Sequence, residues 1–189
     1  MKTRSRLTAL ILPFAISATA LHSARAQDVM DAKSTAYLRD EYRADLDTVH
    51  AKIMALATAI PEDKYSWRPA PGVRSISEAL MHVASEYYFF VPGSIGAKPP
   101  ADFGPPRETL PKMEKITGKA AVIAELEKGW AHSAAQFAAT DAATLTGKYK
   151  PWGGSLAQNA FGMAGDLHEH LGQLISYARA VGVKPPWSK

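Results

Sequence analysis

Ser75-Ile76-Ser77-Glu78-Ala79-Leu80-Met81-His82-Val83-Ala84 opens the stretch whose reading decides the fold. Ser75 and Glu78 have the spacing of a capping box, in which each side chain satisfies a backbone N–H left free at the start of a helix. Behind that cap, Ile76, Leu80, Val83 and Tyr87 recur at three- and four-residue steps, and Met81 and Ala84 add apolar groups on other sides. A helix apolar on most of its circumference is buried nearly all round. The spacing predicts a core helix running from the cap to about Val91, with Pro92-Gly93 as its stop.

Three further segments carry the same period. Upstream, Leu38, Tyr42, Leu46, Val49, Ile53, Leu56 and Ile60 form one stripe, closed by Pro61 and followed by the loop signal Pro69-Ala70-Pro71-Gly72. Downstream, a third helix follows Thr117, carries Val122, Leu126, Trp130 and Phe137, and ends near Thr140. Gly153-Gly154 and a second capping box, Ser155 with Gln158, announce a fourth. Its stripe includes Leu167, Leu171, Leu174 and Ala178, and Gly182 with Pro185-Pro186 ends it. No period-two stretch competes, so the expected class is all-α: a four-helix bundle with a long crossover between helices 2 and 3. That crossover, Pro92 to Ile116, has roughly 25 residues where 2–8 is usual between bundle helices. It either runs the length of the bundle or folds over one end as a lid; a solvated connection is the plainer reading.

Residues 1–26 stand apart from this pattern. Lys2, Arg4 and Arg6 precede an apolar run from Leu7 to Leu21, and Ala24-Arg25-Ala26 offers a small-x-small cleavage site before Gln27. The run is short of the ~20 residues a membrane span needs. The expectation is a signal peptide over 1–26, a single domain over 27–189, and export to the periplasm or beyond, with no membrane attachment after cleavage. The leader holds four basic residues and no acid, so its removal leaves 18 basic against 18 acidic side chains. A balanced domain gives no electrostatic reason to expect a nucleic-acid partner. The chain has no cysteine, which excludes disulfides, thiolate metal sites and cysteine nucleophiles. Any metal must be held by His, Asp, Glu or water.

Few side chains can then carry chemistry. On the fourth helix Asp166, His170 and Gln173 share one face beside the stripe of Met163, Leu167, Leu171 and Leu174. A carboxylate and an imidazole one turn apart can reach one divalent cation, although helices also present this pair without a metal. On the second helix His82 lies in an apolar setting where its ring nitrogens need a hydrogen bond or a metal, since leaving them dry costs ~1–3 kcal/mol. A core histidine bonded to a neighbour is the bland alternative. Glu86, one turn on, is a candidate outer-shell partner or further ligand. Tyr87 is either a substrate contact or core. His50 borders the first stripe and either meets the same cavity or packs as an ordinary core residue. His168 sits about 200° around the helix from Asp166 and from His170, which excludes it from a shared ion. His132 is expected to face solvent.

Two of these segments resemble a known family. Val73-Arg74-Ser75-Ile76-Ser77-Glu78-Ala79-Leu80-Met81-His82-Val83-Ala84 resembles the DinB/YfiT-like pattern that places a histidine on the second helix, and His170-Leu171-Gly172-Gln173-Leu174 resembles that family's signature on the last helix. The longer run from Asp166 to Arg179, ending in Pro185-Pro186-Trp187-Ser188, is similar to a secreted branch of that family. The resemblance implies a four-helix bundle with a divalent metal inside, held by one histidine of the second helix and two of the last, four residues apart. His82 and His170 fill two of those places, and Asp166 stands in the third. The implied ligands are therefore His82, Asp166 and His170, around Zn, Ni, Fe or Mn, with His50, Glu86 and Gln173 as substrate or outer-shell candidates.

Two functions follow from this reading. The first is a metal-dependent hydrolase or transferase acting on a small molecule, its catalytic residues unassigned. The second is a non-catalytic binding or interaction module, for instance a homodimer, in which a buried His/Asp network without metal fixes helix register.

Overall fold

A computed structural model describes residues 30–146 and 154–188. Among them all regular structure is helical, and the expected leader lies outside them. Helix α1 spans Ala32–Ala59 and starts at Asp31, whose carboxylate accepts from the Ser34 N–H at 2.7 Å. Its stripe is buried as expected, with Leu46, Val49, Ile53 and Leu56 fully enclosed. Each such side chain contributes about 1.5–3 kcal/mol relative to exposure.

The far end of α1 is tied to the start of α4, Lys119–Ala139, by an exchange of partners. The Lys119 ammonium donates to the last carbonyls of α1, Thr58 at 2.6 Å and Ile60 at 2.9 Å. In return Glu62 Oε2 accepts from the Lys119 N–H at 2.9 Å. Gly118, at φ +92°, turns the chain into α4 but has no side chain to cap it, so Glu62 does so from across the fold. Both contacts satisfy helix-end groups and place charge of the favourable sign at each terminus.

Helix α2, Ile76–Ser94, begins with both arms of its capping box made, at 3.2 and 2.7 Å. It does not stop at Pro92, as its sequence predicts, but runs to Ser94. So near the end a proline removes only one ladder bond. Ser94 holds the last turn, its hydroxyl donating to the Val91 carbonyl at 2.6 Å and pairing with Tyr42 at 2.8 Å. α2 packs against α4 so closely that a Cβ at Gly129 would stand 3.0 Å from the Ala84 carbonyl oxygen and 3.1 Å from Tyr87 Cβ.

The crossover is neither structureless nor simply solvated. It contains a short helix, α3, over Pro106–Met113, packed on α2. Phe103 sets its ring against Tyr88 and Phe89, with centroids 4.6 and 5.6 Å apart, and Ser77 Oγ donates to the Ile116 carbonyl at 3.1 Å. Its apolar residues are too irregularly spaced among prolines to show a helical period in the sequence. Helix α5, Leu156–Ala180, opens on the second capping box, again with both arms made. α1 packs on α5 and α4, α2 on α4 and α5, and the four long helices share one apolar core. No helix among the described residues is long and apolar enough to cross a membrane.

Candidate metal centre

The centre lies where α2 crosses α5. α2 places His82 and Glu86 one turn apart, and α5 brings His170 against them. Glu86 Oε1 lies 3.3 Å from His82 Nε2 and 3.1 Å from His170 Nε2. The two rings meet edge to face with centroids 4.9 Å apart. One ligand atom from each of the three residues falls within 4.8 Å of the others. Around a cation with bonds near 2.0–2.2 Å, neighbouring ligand atoms stand roughly 3.0–3.5 Å apart, so the two measured edges have the span of a coordination shell.

Side chains behind the rings fix their orientation. Gln173 donates through Nε2 to the Tyr177 hydroxyl at 3.0 Å, which leaves its Oε1 to accept from His170 Nδ1 at 3.3 Å. With the proton on Nδ1, the Nε2 lone pair of His170 faces Glu86. On the other ring, Glu114 Oε1 lies 3.4 Å from His82 Nδ1, close but not aligned as a hydrogen bond. Arg74 grips the same carboxylate at 2.9 and 2.8 Å. Glu114 follows α3, so the crossover supplies this support.

The site holds carboxylates and imidazoles in close electrostatic contact. Glu86 is 3 % exposed, and its Oε2 finds no hydrogen-bond partner among the described residues. Burial alone pushes its carboxyl up, but His170 and His82 together outweigh burial and hold it below the usual range. The Glu86 carboxylate in turn raises His170. Asp166 is raised, by burial first and then by the negative charge of Glu86. A proton shared between Glu86 and the imidazoles satisfies these groups, and a metal ion in the same gap would do so in its place. The donor set, two imidazoles and a carboxylate, suits Zn or a harder first-row ion.

The sequence-predicted residues fall in different places. His82 and His170 meet. Glu86, read from sequence as an outer-shell partner or further ligand, stands between them. Asp166 stands one step outward, its Oδ2 3.9 Å from His170 Nε2 and its side chain 48 % exposed. Gln173 orients His170 from behind. His50 does not line the centre's cavity; it stacks on Trp130 at 4.6 Å and meets Tyr87 edge-on, and Tyr87 is fully buried core. His168 turns away to Asp45, at 3.0 Å. His132, expected to face solvent, is half-buried under the crossover, with Nε2 3.1 Å from the Lys98 carbonyl oxygen. Glu114 had no signal in the sequence, because only the path of the crossover brings it to His82.

The sequence profile of the DinB superfamily matches residues 45–174, more than half of the chain. The chain belongs to the DinB superfamily. No curated protein matches it significantly. The DinB match contains His82, Glu86, Glu114, Asp166, His170 and Gln173, so the centre lies wholly inside the shared region.

Beside the centre this DinB chain opens a cavity of about 620 Å³. His82, Glu86 and Asp166 line it on the side of the centre, and Phe90, Leu110 and Met163 give it apolar walls. Gln158, Asn159 and Gly162, from the first turns of α5, complete it. Leu110 belongs to α3, so the crossover forms one wall as well as bracing His82.

Proposed function

We propose that this DinB-superfamily protein is a divalent-metal protein acting on a small molecule, as a hydrolase or transferase. His82, Glu86 and His170 would hold the ion between α2 and α5, with Asp166 on the open side. The observation that carries this reading is the convergence of three ligand atoms within 4.8 Å around a buried carboxylate with an unpartnered oxygen. When bound, an ion such as Zn, Ni, Fe or Mn supplies Lewis acidity toward a substrate oxygen or sulfur.

The side chains do the remaining work. Gln173 keeps the Nε2 lone pair of His170 turned inward, and Glu114, clamped by Arg74, sets its negative charge 3.4 Å from His82 Nδ1. Asp166 borders both the centre and the cavity, which places it to exchange a proton with a bound molecule. Phe90, Leu110 and Met163 line the cavity with apolar surface. We read the architecture as a four-helix bundle of α1, α2, α4 and α5 with a crossover carrying α3, a reading supported by the packing of those helices around one core. The leader pattern at 1–26 supports export. A protein outside the cytoplasm lacks access to cytosolic low-molecular-weight thiols, which favours hydrolysis over thiol transfer.

Metal analysis of protein purified without chelators or affinity tags tests the centre, followed by titration of the metal-free protein with Zn²⁺, Ni²⁺ and Mn²⁺. The expected result is bound metal, or uptake of one ion per chain at micromolar affinity or better, lost in the His82→Ala variant while the helical fold persists. Protein that neither carries nor takes up these ions overturns the reading. It would leave the buried His/Glu contacts as a register-fixing network, in which His82→Ala lowers stability with no metal to lose.

A further inference from the structure

Helix α5 carries two seams. Met163, Leu167, Leu171 and Leu174 turn into the bundle. On its outer side Phe161, Gly165, His168, Gly172, Ile175 and Arg179 follow one another at alternating steps of four and three residues. That is the heptad spacing by which two helices pack side by side. All six are exposed except Ile175, which is half-buried. A helix with one inward face ordinarily turns charged and polar groups outward. Here Phe161 is 72 % exposed, and a Cβ added at Gly165 or Gly172 meets no atom within 4 Å. Neither glycine has a positive φ, so the backbone does not require them, and each weakens the helix relative to alanine. Nothing inside the chain accounts for an aromatic ring and two bare glycines along one outer ridge.

The seam is complementary to itself in one orientation. Laid antiparallel about a two-fold axis between His168 and Gly172, it sets Phe161 against Arg179 of the second copy, Gly165 against Ile175, and His168 against Gly172. Each branched or ring side chain near the axis then faces a glycine, which lets the helices approach closely, and the Phe161 ring faces a guanidinium. Laid parallel, the same seam would put glycine on glycine and Arg179 on Arg179, leaving gaps and like charges in contact. The flanking charges agree with the antiparallel arrangement. Glu41 of α1 borders the same shallow groove as Phe161, at the opposite end of the face from Arg179. Neither Glu41 nor Arg179 has an ion-pair partner among the described residues. The two-fold axis brings each to the other across the pair.

We propose that the protein forms a two-fold homodimer in which the α5 helices of two copies pack antiparallel along this outer seam, with Glu41 of each copy paired to Arg179 of the other. The seam lies on the side of α5 turned away from His170, so the inference stands apart from the metal centre.

Sedimentation equilibrium of the protein tests it, with a dimer of Kd about 10 µM or tighter expected. Phe161→Glu and Gly172→Glu should each raise Kd at least about 30-fold, as loss of a central contact does, while the circular dichroism spectrum is kept because both positions are exposed in the single chain. Arg179→Glu should weaken the dimer about five- to tenfold, and Glu41→Arg added to it should restore the affinity. Because the chain has no cysteine, orientation can be read by oxidation. Gly165→Cys combined with Ile175→Cys should give a covalent dimer, since these two positions lie too far apart to bridge within one helix, and neither single variant should do so. A monomer up to about 1 mM, a dimer indifferent to both glutamate variants, or covalent dimers from each single-cysteine variant in place of the pair overturns the proposal.

Discussion

His170 Nε2, on α5, lies 3.1 Å from Glu86 Oε1, on α2, with the carboxylate almost wholly shielded from water. That contact joins the two helices at their only buried acid among the described residues and makes Glu86 the pivot of the centre. If a divalent ion replaces the proton between them, it binds the folded chain and not the unfolded one. Zn²⁺ at a hundred times its Kd is then expected to raise stability by about 2.7 kcal/mol. For a domain of this size that is a rise in Tm of about 5–10 °C. Glu86→Gln keeps the shape but removes the charge; it should lower Zn²⁺ affinity by about 100-fold or more, beyond what loss of an outer-shell partner costs. Differential scanning calorimetry with and without Zn²⁺, on both proteins, reads each number.

Glu114 braces His82 from the crossover, so its loss is expected to act at a distance from α3 as well as on it. Glu114→Gln should reduce Zn²⁺ affinity about 10- to 100-fold, the usual cost of an outer-shell partner. It also breaks the Arg74 pair that anchors the end of α3, and hydrogen exchange of the α3 amides should quicken. Unchanged affinity with quickened exchange would make Glu114 a purely structural anchor.

His50 carries a pH signature separate from the centre. Burial lowers it from 6.5 to about 4, with the charge of Asp47 opposing. Below pH 6.5 the unfolded chain takes up a proton that the folded chain refuses until about pH 4, so this residue's contribution to stability is lost as pH falls through that window. Discounted for the ring's partial exposure, the loss is about 1–2 kcal/mol. His50→Phe retains the stack on Trp130 and cannot titrate. Urea denaturation at pH 7 and pH 4.5 should show a smaller acid loss in the variant than in the parent; parallel losses would remove the assignment.

Gly129 sets the distance between α2 and α4. Any larger side chain there must push on backbone at Ala84, which cannot swing aside as a flexible side chain would. Gly129→Val is expected to cost about 2–3 kcal/mol, despite the gain of leaving glycine behind in a helix. Chemical denaturation measures it. A neutral result would show that the two helices slide apart freely.

The sequence by itself determined the helices and their inward faces. Both capping boxes, at Ser75–Glu78 and Ser155–Gln158, form as their spacing predicts, and the α1 stripe from Tyr42 to Leu56 is buried, because period and caps are properties of one helix at a time. The pairing of His82 with His170 was legible through the family resemblance. What only the tertiary structure decided is which groups stand within bonding reach of each other. Spacing locates Glu86 and Asp166 on their own helices, but the rotation of α2 against α5 turns Glu86 inward between the imidazoles and leaves Asp166 at the cavity's edge. The same holds for Glu114, carried to His82 by a proline-rich crossover whose helix α3 has no period to read, and for Lys119 and Glu62, which cap each other's helices across the fold. Distances between helices are set by core packing, and packing is a property of the whole chain.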